Sequence, residues 1–347
     1  MENHLKNLKF PIEATTRTAF YLIPAISAQV FLGHLNNPKI KEFRSRMSLW
    51  DNLKEIKNLY AQDQANISKG YYLAPEKIIP DIKNYLLMNV KNAFDLLKVK
   101  RRIKNKDVRV FDEKICPSDF PSYFRQSFHY QSDGYFSSDS AELYDHQVEL
   151  VFTGTAQAMR RHGIKAISLI SGNSKYPRLD KLKILDIACG TGLFTSELER
   201  HFPKSEVHGV DLSPWYLSEA QNKFPQSNIK WQFAKAEKLP FEDESFDIVS
   251  SVYLYHELPE KIRKQAAKEM LRVLKPGGTL VHIDSIQKGD VAELDVGLEV
   301  FPQAYHEPYF KNYINQNTAA LFEKLGLQNV DSDFAFYSKI IRGQKKN

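Results

Sequence analysis

The sequence predicts an α/β protein in which a doubly wound, mostly parallel sheet follows a largely helical N-terminal region. Three observations predict it. From Leu182 onward, strand-like and helix-like patterns alternate, as in successive βαβ units. Leu182, Ile184, Leu185 and Ile187 make a nearly continuous apolar run, as expected of a central strand covered on both faces. That run enters a turn containing Gly190 and Gly192, and a helix pattern follows at once from Phe194 to Phe202. Glycine at such a turn lets backbone approach a ligand closely and permits positive φ. The helix behind it points free N–H groups at the same place. The next strand, Ser205–Val210, ends in Asp211. An acid about 20 residues past the first turn can accept hydrogen bonds from the two hydroxyls of a ribose.

These residues carry a resemblance. Asp186, Ala188, Gly190 and Gly192 fill the D-x-(A/G)-x-G-x-G pattern of the class I S-adenosylmethionine (SAM) methyltransferases. The dinucleotide fingerprint fits less well, because Thr195 stands where its third glycine belongs. Three further segments are similar to that class, in order. They are Ala236-Glu237-Lys238-Leu239-Pro240-Phe241, the run Ser245–Ser251, and Arg272–Leu280 with its Lys-Pro-Gly-Gly turn. The set most resembles the ubiquinone/menaquinone C-methyltransferase branch. Residues 128–137 and 301–310 resemble a little-characterised bacterial and plastid methyltransferase group. A looser likeness links the former segment to the methyltransferase part of ovothiol-synthesis enzymes.

The resemblance implies a Rossmann-like seven-stranded class I methyltransferase sheet. Strands are expected near residues 182–188, 206–211, 229–234, 246–253 and 278–285, with an antiparallel edge near 327–333 and 334–342. The expected division is 1–110 helical and basic, 111–175 aromatic lid with covering helix, and 176–347 methyltransferase domain.

Composition sets broader bounds. The chain of 347 residues is 42% hydrophobic and 26% charged, ordinary for a soluble protein able to bury a core. Two cysteines, Cys116 and Cys189, sit at no metal-ligand spacing, which fits a reducing compartment. No metal is expected, and Cys189 reads as a packing residue. The net charge of +6 is uneven, because residues 1–110 hold 20 Lys/Arg against 10 Asp/Glu. The densest run is Lys98, Lys100, Arg101, Arg102, Lys104 and Lys106. It reads first as a solvated helix end, and second as a surface for RNA or an anionic membrane.

In the N-terminal region, Ala19–Gly33 is apolar but interrupted by Pro24 and Gln29. It is shorter than the about 20 residues of a membrane span. A secretory signal is the weaker reading; a helix over the active site or resting on a membrane fits better, in a cytoplasmic protein. Asp51–Gln64 places Leu53, Ile56, Leu59 and Tyr60 on one helical face. Pro80–Val99 repeats the pattern with Ile82, Tyr85, Leu86, Val90, Phe94 and Leu97, and Asp81 supports its first turn.

Residues 111–140 change character. Pro117, Pro121 and Gly134 break regular structure, while Phe120, Tyr123, Phe124, Phe128, Tyr130, Tyr135 and Phe136 crowd in around His129, Gln131 and Asp133. Such a segment is a lid or a packing strap. A helix is expected over 139–163, capped by Asp139 or Ser140, with Tyr144 and Gln147 toward the cofactor.

For the cofactor, SAM, the resemblance implies Asp211 at the ribose, Gly190 and Gly192 beside the methionine portion, and Asp186 near its ammonium. Ala236, Glu237 and Leu212 are expected beside the adenine. Lys235 stands where relatives often carry Asp or Asn, so the adenine amino group is left to Glu237 or to backbone. Methyl transfer is an in-line displacement that needs an aligned nucleophile and exclusion of water. A phenol or enol acceptor must also lose a proton, for which histidine is suited. Tyr253, Tyr255, His256 and Glu257 follow the fourth strand, where such acceptor residues are common. His256 reads either as base or as a packing residue. A second cluster, with His306, Glu307 and Tyr309, lies after the fifth strand and is expected to cover the acceptor pocket with His129, Tyr135 and Tyr144.

The leading expectation is methyl transfer to a small molecule, quinone-like or aromatic. A thiol-imidazole acceptor predicts instead a pocket of acids and amides. An RNA or protein methyltransferase using the basic region, and a SAM-binding protein without turnover, are the other readings. Oligomeric state is left open.

Overall fold

The computed structural model describes residues 2–108, 120–170 and 181–346, with side chains from residue 9 onward except those of Ile170 and Gln303. The first part of the aromatic segment, with Cys116 and Pro117, and the boundary expected at 175–176 lie outside the described residues. The chain opens with α1 (Glu2–Leu32), α2 (Pro38–Arg46), α3 (Leu49–Ser68) and α4 (Ile82–Asn105). The covering helices are α5 (Ser138–Val151) and α6 (Ala156–Ile170). Then come β1 (Lys183–Ile187), α7 (Leu193–His201), β2 (Glu206–Asp211), α8 (Pro214–Lys223), β3 (Lys230–Phe233) and β4 (Phe246–Val252). After these follow α9 (Glu260–Val273), β5 (Leu274–Ser285), α10 (Asp295–Ala304), α11 (Phe310–Tyr313), α12 (Thr318–Lys324), β6 (Leu327–Ala335) and β7 (Ser338–Lys345).

The seven strands form one sheet in the order β3-β2-β1-β4-β5-β7-β6. β1 pairs in parallel with β2 and β4, and β7 runs antiparallel between β5 and β6. Strand alternation sorts the apolar run onto two faces. Leu185, Ile187, Val210, Val249 and Leu280 pack with α9 and α12, while Ile184, Val207, Ile248 and Val281 pack with α6 and α7. Each such side chain, fully buried, contributes about 1.5–3 kcal/mol. The second face also takes Ile56, Leu59 and Tyr60 from α3, so the N-terminal helices share the core of the sheet. Arg17 of α1 ties the two together, donating to the carbonyls of Gly154 and Ile78 and pairing with Glu149 at 3.0 Å.

Four expectations need correction. The helix expected over 139–163 is two helices. Thr153 and Gly154 take positive φ (53° and 82°) and break it, and the Glu149 carboxylate caps the second helix through the Ala156 and Gln157 N–H groups. Its N-cap is Ser137, whose hydroxyl accepts from Ser140 N. On α4 the buried face is Tyr85, Met88, Asn92, Asp95 and Val99. Ile82, Leu86, Val90, Phe94 and Leu97 face outward, Phe94 with 67% of its surface exposed. The polar pair can be buried because Gln147 of α5 donates to both Asn92 and Asp95. β7 starts at Ser338 rather than near 334, because Phe336 (φ 55°) and Tyr337 form the hairpin turn from β6. β5 starts at Leu274 rather than near 278, since Leu274 already pairs with Phe246 ahead of an irregularity in register. Among the described residues, no helix is long and apolar enough to cross a membrane.

Candidate active site

The carboxyl ends of β1, β2 and β4 meet at the switch point of the sheet, where open α/β sheets hold ligands. β1 runs into Ala188, Gly190 and Gly192, all with positive φ (56°, 55° and 82°). The two glycines do different work. A Cβ on Gly190 would meet nothing within 4 Å, whereas one on Gly192 would lie 2.5 Å from the Trp231 ring. Gly190 therefore borders open space, and Gly192 lets β3 and the turn close up.

Asp211 ends β2 and stitches the turn together. Its Oδ2 accepts from Gly190 N (2.8 Å) and its Oδ1 from Ser213 N (2.7 Å). Burial pushes this carboxyl up to about 6, against the pull of those N–H donors. Asp186 lies deeper. Its oxygens take the hydroxyls of Thr195 (2.6 Å) and Ser250 (2.8 Å), and burial pushes it up to about 7.

A cavity opens over the turn. Ala188, Gly190, Asp211, Leu212, Ala234 and Ala236 form its floor, and Tyr123, Phe124, Phe128, Tyr135 and Tyr144 its cover. Of the predicted cofactor residues, Asp186, Gly192 and Glu237 do not border it. Glu237 accepts from Tyr123 Oη at 2.7 Å, and its Oε2 is buried without a hydrogen-bond partner. The aromatic segment is held by its rings: Phe124 stacks on Tyr135, Tyr135 stacks on Phe128, and Tyr135 meets Tyr216 edge to face. It covers the cavity and packs the sheet at once, so the lid and strap readings describe one structure. Open space at Gly190, a buried acid at the end of β2 and small residues along the wall are features that suit a nucleoside with an amino-acid tail.

A second cavity of about 390 Å³ adjoins the first. Tyr144, Tyr253 and Glu257 line both. Its wall is mainly apolar: Leu22, Ile26 and Leu32 from α1, Ile40 and Phe43 from α2, Leu53 and Ile56 from α3, and Leu298, Val300 and Phe301 from α10. Its polar end carries Gln131, Gln147, His129, His256 and Glu257.

That polar end is assembled from four segments. The short turn Tyr255–Glu257 follows β4, and His256 Nδ1 lies 2.6 Å from Asp284 Oδ1 of β5. His256 Nε2 lies 3.9 Å from Glu257 Oε1, and His129 Nε2 lies 3.8 Å from the same oxygen. The Tyr135 hydroxyl donates to that carboxylate as well. Behind His129, Nδ1 lies 3.2 Å from Glu307 Oε1. Glu307 has no side-chain exposure, and neither of its oxygens makes a well-formed hydrogen bond. Burial pushes the Glu307 carboxyl up. Burial would lower both histidines, but Glu307 and Glu257 raise His129 above its usual value, and Asp284 with Glu257 raises His256.

The other predicted acceptor residues divide. Tyr253 lines both cavities with its hydroxyl 2.7 Å from Ser338 Oγ. Tyr255 is fully buried in the core against Met270 and borders neither. His306 Nε2 lies 3.3 Å from Gln126 Oε1, and its carbonyl accepts from His129 N, so it props the His129 loop. Tyr309 packs against Phe128 outside both cavities. Missed by sequence reasoning were Asp284 and the apolar wall from α2 and the first turns of α10, whereas the helix expected over the site at Ala19–Gly33 and the lid residue Tyr123 do border the cavities. The acid closing the His-Ile-Asp-Ser end of β5 was the one local signal.

A sheet of this order with a glycine turn and a terminal acid on β2 defines the Rossmann-like methyltransferase fold. Comparison with known proteins bears this out. Residues 184–278 match the family described as methyltransferase domain. Human N-acetylserotonin methyltransferase, solved with SAM, superposes over 81% of this chain and 74% of its own with a TM-score of 0.51 at 13% identity, a likeness of fold. Residues 184–278 thus carry a methyltransferase domain, in a chain with the class I SAM-methyltransferase fold and SAM as its cofactor.

Among its relatives, a Haemophilus influenzae protein described as uncharacterized is 34% identical over 181 residues, 50% of this chain and 68% of its own. The ubiquinone/menaquinone biosynthesis C-methyltransferase of Desulfotalea psychrophila is 38% identical over 103 residues, 30% of this chain and 41% of its own. A Staphylococcus aureus demethylmenaquinone methyltransferase is 39% identical over 131 residues, 37% and 50% respectively. The chain thus spans about half the length of the quinone-pathway relatives it matches.

Proposed function

We propose that this protein methylates a small acceptor with an apolar body and an acidic, quinone-like or phenolic head. The observation that carries the reading is the second cavity, large and walled by Leu, Ile, Val and Phe, whose polar end meets the cofactor cavity at Tyr144, Tyr253 and Glu257. A thiol-imidazole acceptor calls for a wall of acids and amides, and the wall present is apolar. The names of the relatives point the same way.

Bound at the turn, SAM supplies an electrophilic sulfonium methyl group. Asp211 would hold the ribose hydroxyls, Leu212 and Ala236 would flank the adenine, and Gly190 would give room to the methionine portion. Tyr144 and Tyr253 stand at the junction and shape the line of attack. His256, oriented by Asp284, faces the acceptor end with Nε2 and serves to take the acceptor's proton. The covering aromatics exclude water. Methyl-labelled SAM incubated with the protein and extracts of its own host tests this. Label in the organic phase is expected; label confined to the aqueous small-molecule fraction, or to precipitable RNA or protein, refutes it.

An apolar acceptor is carried in membranes, and the outer face of α4 suits delivery from one. Leu86, Val90, Phe94 and Leu97 are exposed there, and Lys98, Lys100 and Arg101 follow at the helix end. α1, which walls the second cavity, lies alongside: Phe20 meets Tyr85 and Lys100 sits over Phe31. An anionic lipid surface matches both the rings and the charges. Vesicles containing phosphatidylglycerol should sediment the protein and those of phosphatidylcholine alone should not; Phe94→Glu should weaken the effect.

A further inference from the structure

We propose that His129, His256 and Glu257 bind one first-row divalent cation at the junction of the two cavities. One ring nitrogen of His129, one of His256 and a Glu257 oxygen lie within 4.8 Å of one another, and the Nε2 atoms of His129 and His256 stand 3.8 and 3.9 Å from the same Glu257 oxygen. Ligands at about 2.1 Å from one ion stand about 3.0–3.4 Å apart in octahedral or tetrahedral geometry. Side-chain rotations that bring each ligand in by less than about 1 Å therefore close the site.

What lies behind the three ligands argues for a cation over a simple proton network. A metal-binding histidine characteristically turns its second ring nitrogen to a carboxylate, which fixes the tautomer and strengthens the ligand. Here both do. His256 Nδ1 meets Asp284 at 2.6 Å, and His129 Nδ1 faces Glu307 at 3.2 Å. Glu307 has no side-chain exposure and no well-formed hydrogen bond, so a buried carboxylate is aimed at the back of a ring with nothing else to do. Ligation at Nε2 places a proton on Nδ1 and gives Glu307 its donor. The third ligand is supported too, by the Tyr135 hydroxyl on Glu257. His129 is placed for this by a costly backbone: it takes φ 55°, and the carbonyl of His306 secures its N–H.

Two imidazoles and one carboxylate on one side leave the other coordination positions open. All three residues line the second cavity, so an oxygen or sulfur donor of an acceptor's head bound there can complete the shell. Nitrogen and oxygen donors in this mix suit iron(II), manganese, cobalt or zinc. This deepens the proposed function, since it rests on the reading that the acceptor's head arrives here: with the cation bound, His256 Nε2 is a ligand rather than the base, and the cation instead lowers the pKa of the coordinated head so that its proton passes to water. Cation binding is nonetheless measured without acceptor or cofactor, so the two ideas fail separately.

The test uses Co²⁺ as the probe. The full chain, stripped with chelator, is titrated while visible d–d absorption is recorded. Saturation near one Co²⁺ per chain is expected, with at least tenfold weaker binding in His129→Ala and in Glu257→Gln. Glu307→Gln should weaken it about tenfold, and His208→Ala, on β2 beside Glu206, should leave it unchanged. Melting temperature and SAM affinity report whether each variant is folded. Wild-type protein offers a second readout: Zn²⁺ should shift the ring-nitrogen NMR signals of two of the ten histidines. Absence of saturable Co²⁺ binding, unchanged binding in both ligand variants, or no histidine shift overturns the proposal.

Discussion

The two cavities of this protein touch, yet they are built in opposite ways. The first cavity is floored by backbone and small side chains from the ends of adjacent parallel strands, within the single stretch from Ala188 to Ala236. The acceptor cavity is walled by side chains from α1, α2, α3, α5, α10 and the β4 turn, so residues nearly three hundred positions apart face each other across it. A site made of one turn must be exact in its backbone. A site made of many distant side chains can change its wall piece by piece while the turn stays fixed. The first should therefore break sharply at single atoms, and the second should lose selectivity by degrees.

The largest expected effect is at Asp211. Asp211→Ala removes the acceptor proposed for the ribose hydroxyls and the one that takes the N–H groups of Gly190 and Ser213. Hydrogen bonds to a charged group are worth about 1.5–3 kcal/mol each, so SAM should bind at least about 100-fold more weakly by calorimetry. The ionised carboxylate is the form that accepts from both hydroxyls. In the free protein burial holds its pKa near 6, so wild-type SAM affinity should be flat above that pH and fall as pH drops through it, by up to about tenfold per unit. Unaltered affinity in Asp211→Ala would remove the cofactor assignment altogether.

His256→Ala comes next. It removes the ring held by Asp284 at the head of the acceptor cavity. Turnover should fall about 100-fold, with SAM affinity changed less than about twofold because the ring borders only the acceptor side. Loss of both together would mean that the two cavities are not separable.

How much of this was legible in the sequence follows from the same contrast. Asp186, Gly190, Gly192 and Asp211 sit within one βαβ unit, and β1 was readable from its apolar run, while polar strands such as β3 and β6 were placed by the resemblance. The chemistry of the turn is local, and local patterns carry it. The pairing of His129 with Glu307, and of His256 with Asp284, is set only when loops close over the sheet. The histidines and Glu307 could be singled out as candidates, but nothing at short range says which carboxylate each histidine meets. The α4 helix shows a different failure. Its apolar stripe is as clear as that of α3, but Asn92 and Asp95 are buried by Gln147 while the stripe is turned outward. Periodicity finds a face; it does not say what the face meets.

A smaller effect probes the acceptor wall. Ala25 of α1 borders the cavity and is nearly buried. Ala25→Trp should fill part of the apolar end and displace two or three carbons of an acceptor's tail. At about 0.8 kcal/mol per buried methylene, kcat/KM for a long-tailed acceptor should fall roughly 15- to 50-fold. A short-tailed analogue and SAM itself should be unaffected. Equal losses for both acceptors would indicate general damage rather than a shaped wall.

The finest test divides the turn itself. Gly190 and Gly192 share a motif and a positive φ, yet the space beside them differs. An alanine at either position bears the left-handed backbone cost of about 1–2 kcal/mol. At Gly192 the new methyl also meets the Trp231 ring at 2.5 Å, an overpacking that adds about 1–3 kcal/mol. Gly192→Ala should therefore lower the melting temperature more than Gly190→Ala does. At Gly190 the methyl enters open space on the floor of the cofactor cavity, so its main effect should fall on SAM affinity. The two variants should thus rank in opposite order by calorimetric affinity and by thermal stability. If they rank the same way in both, the space beside Gly190 is not where the cofactor lies, and the glycine pair serves the fold alone.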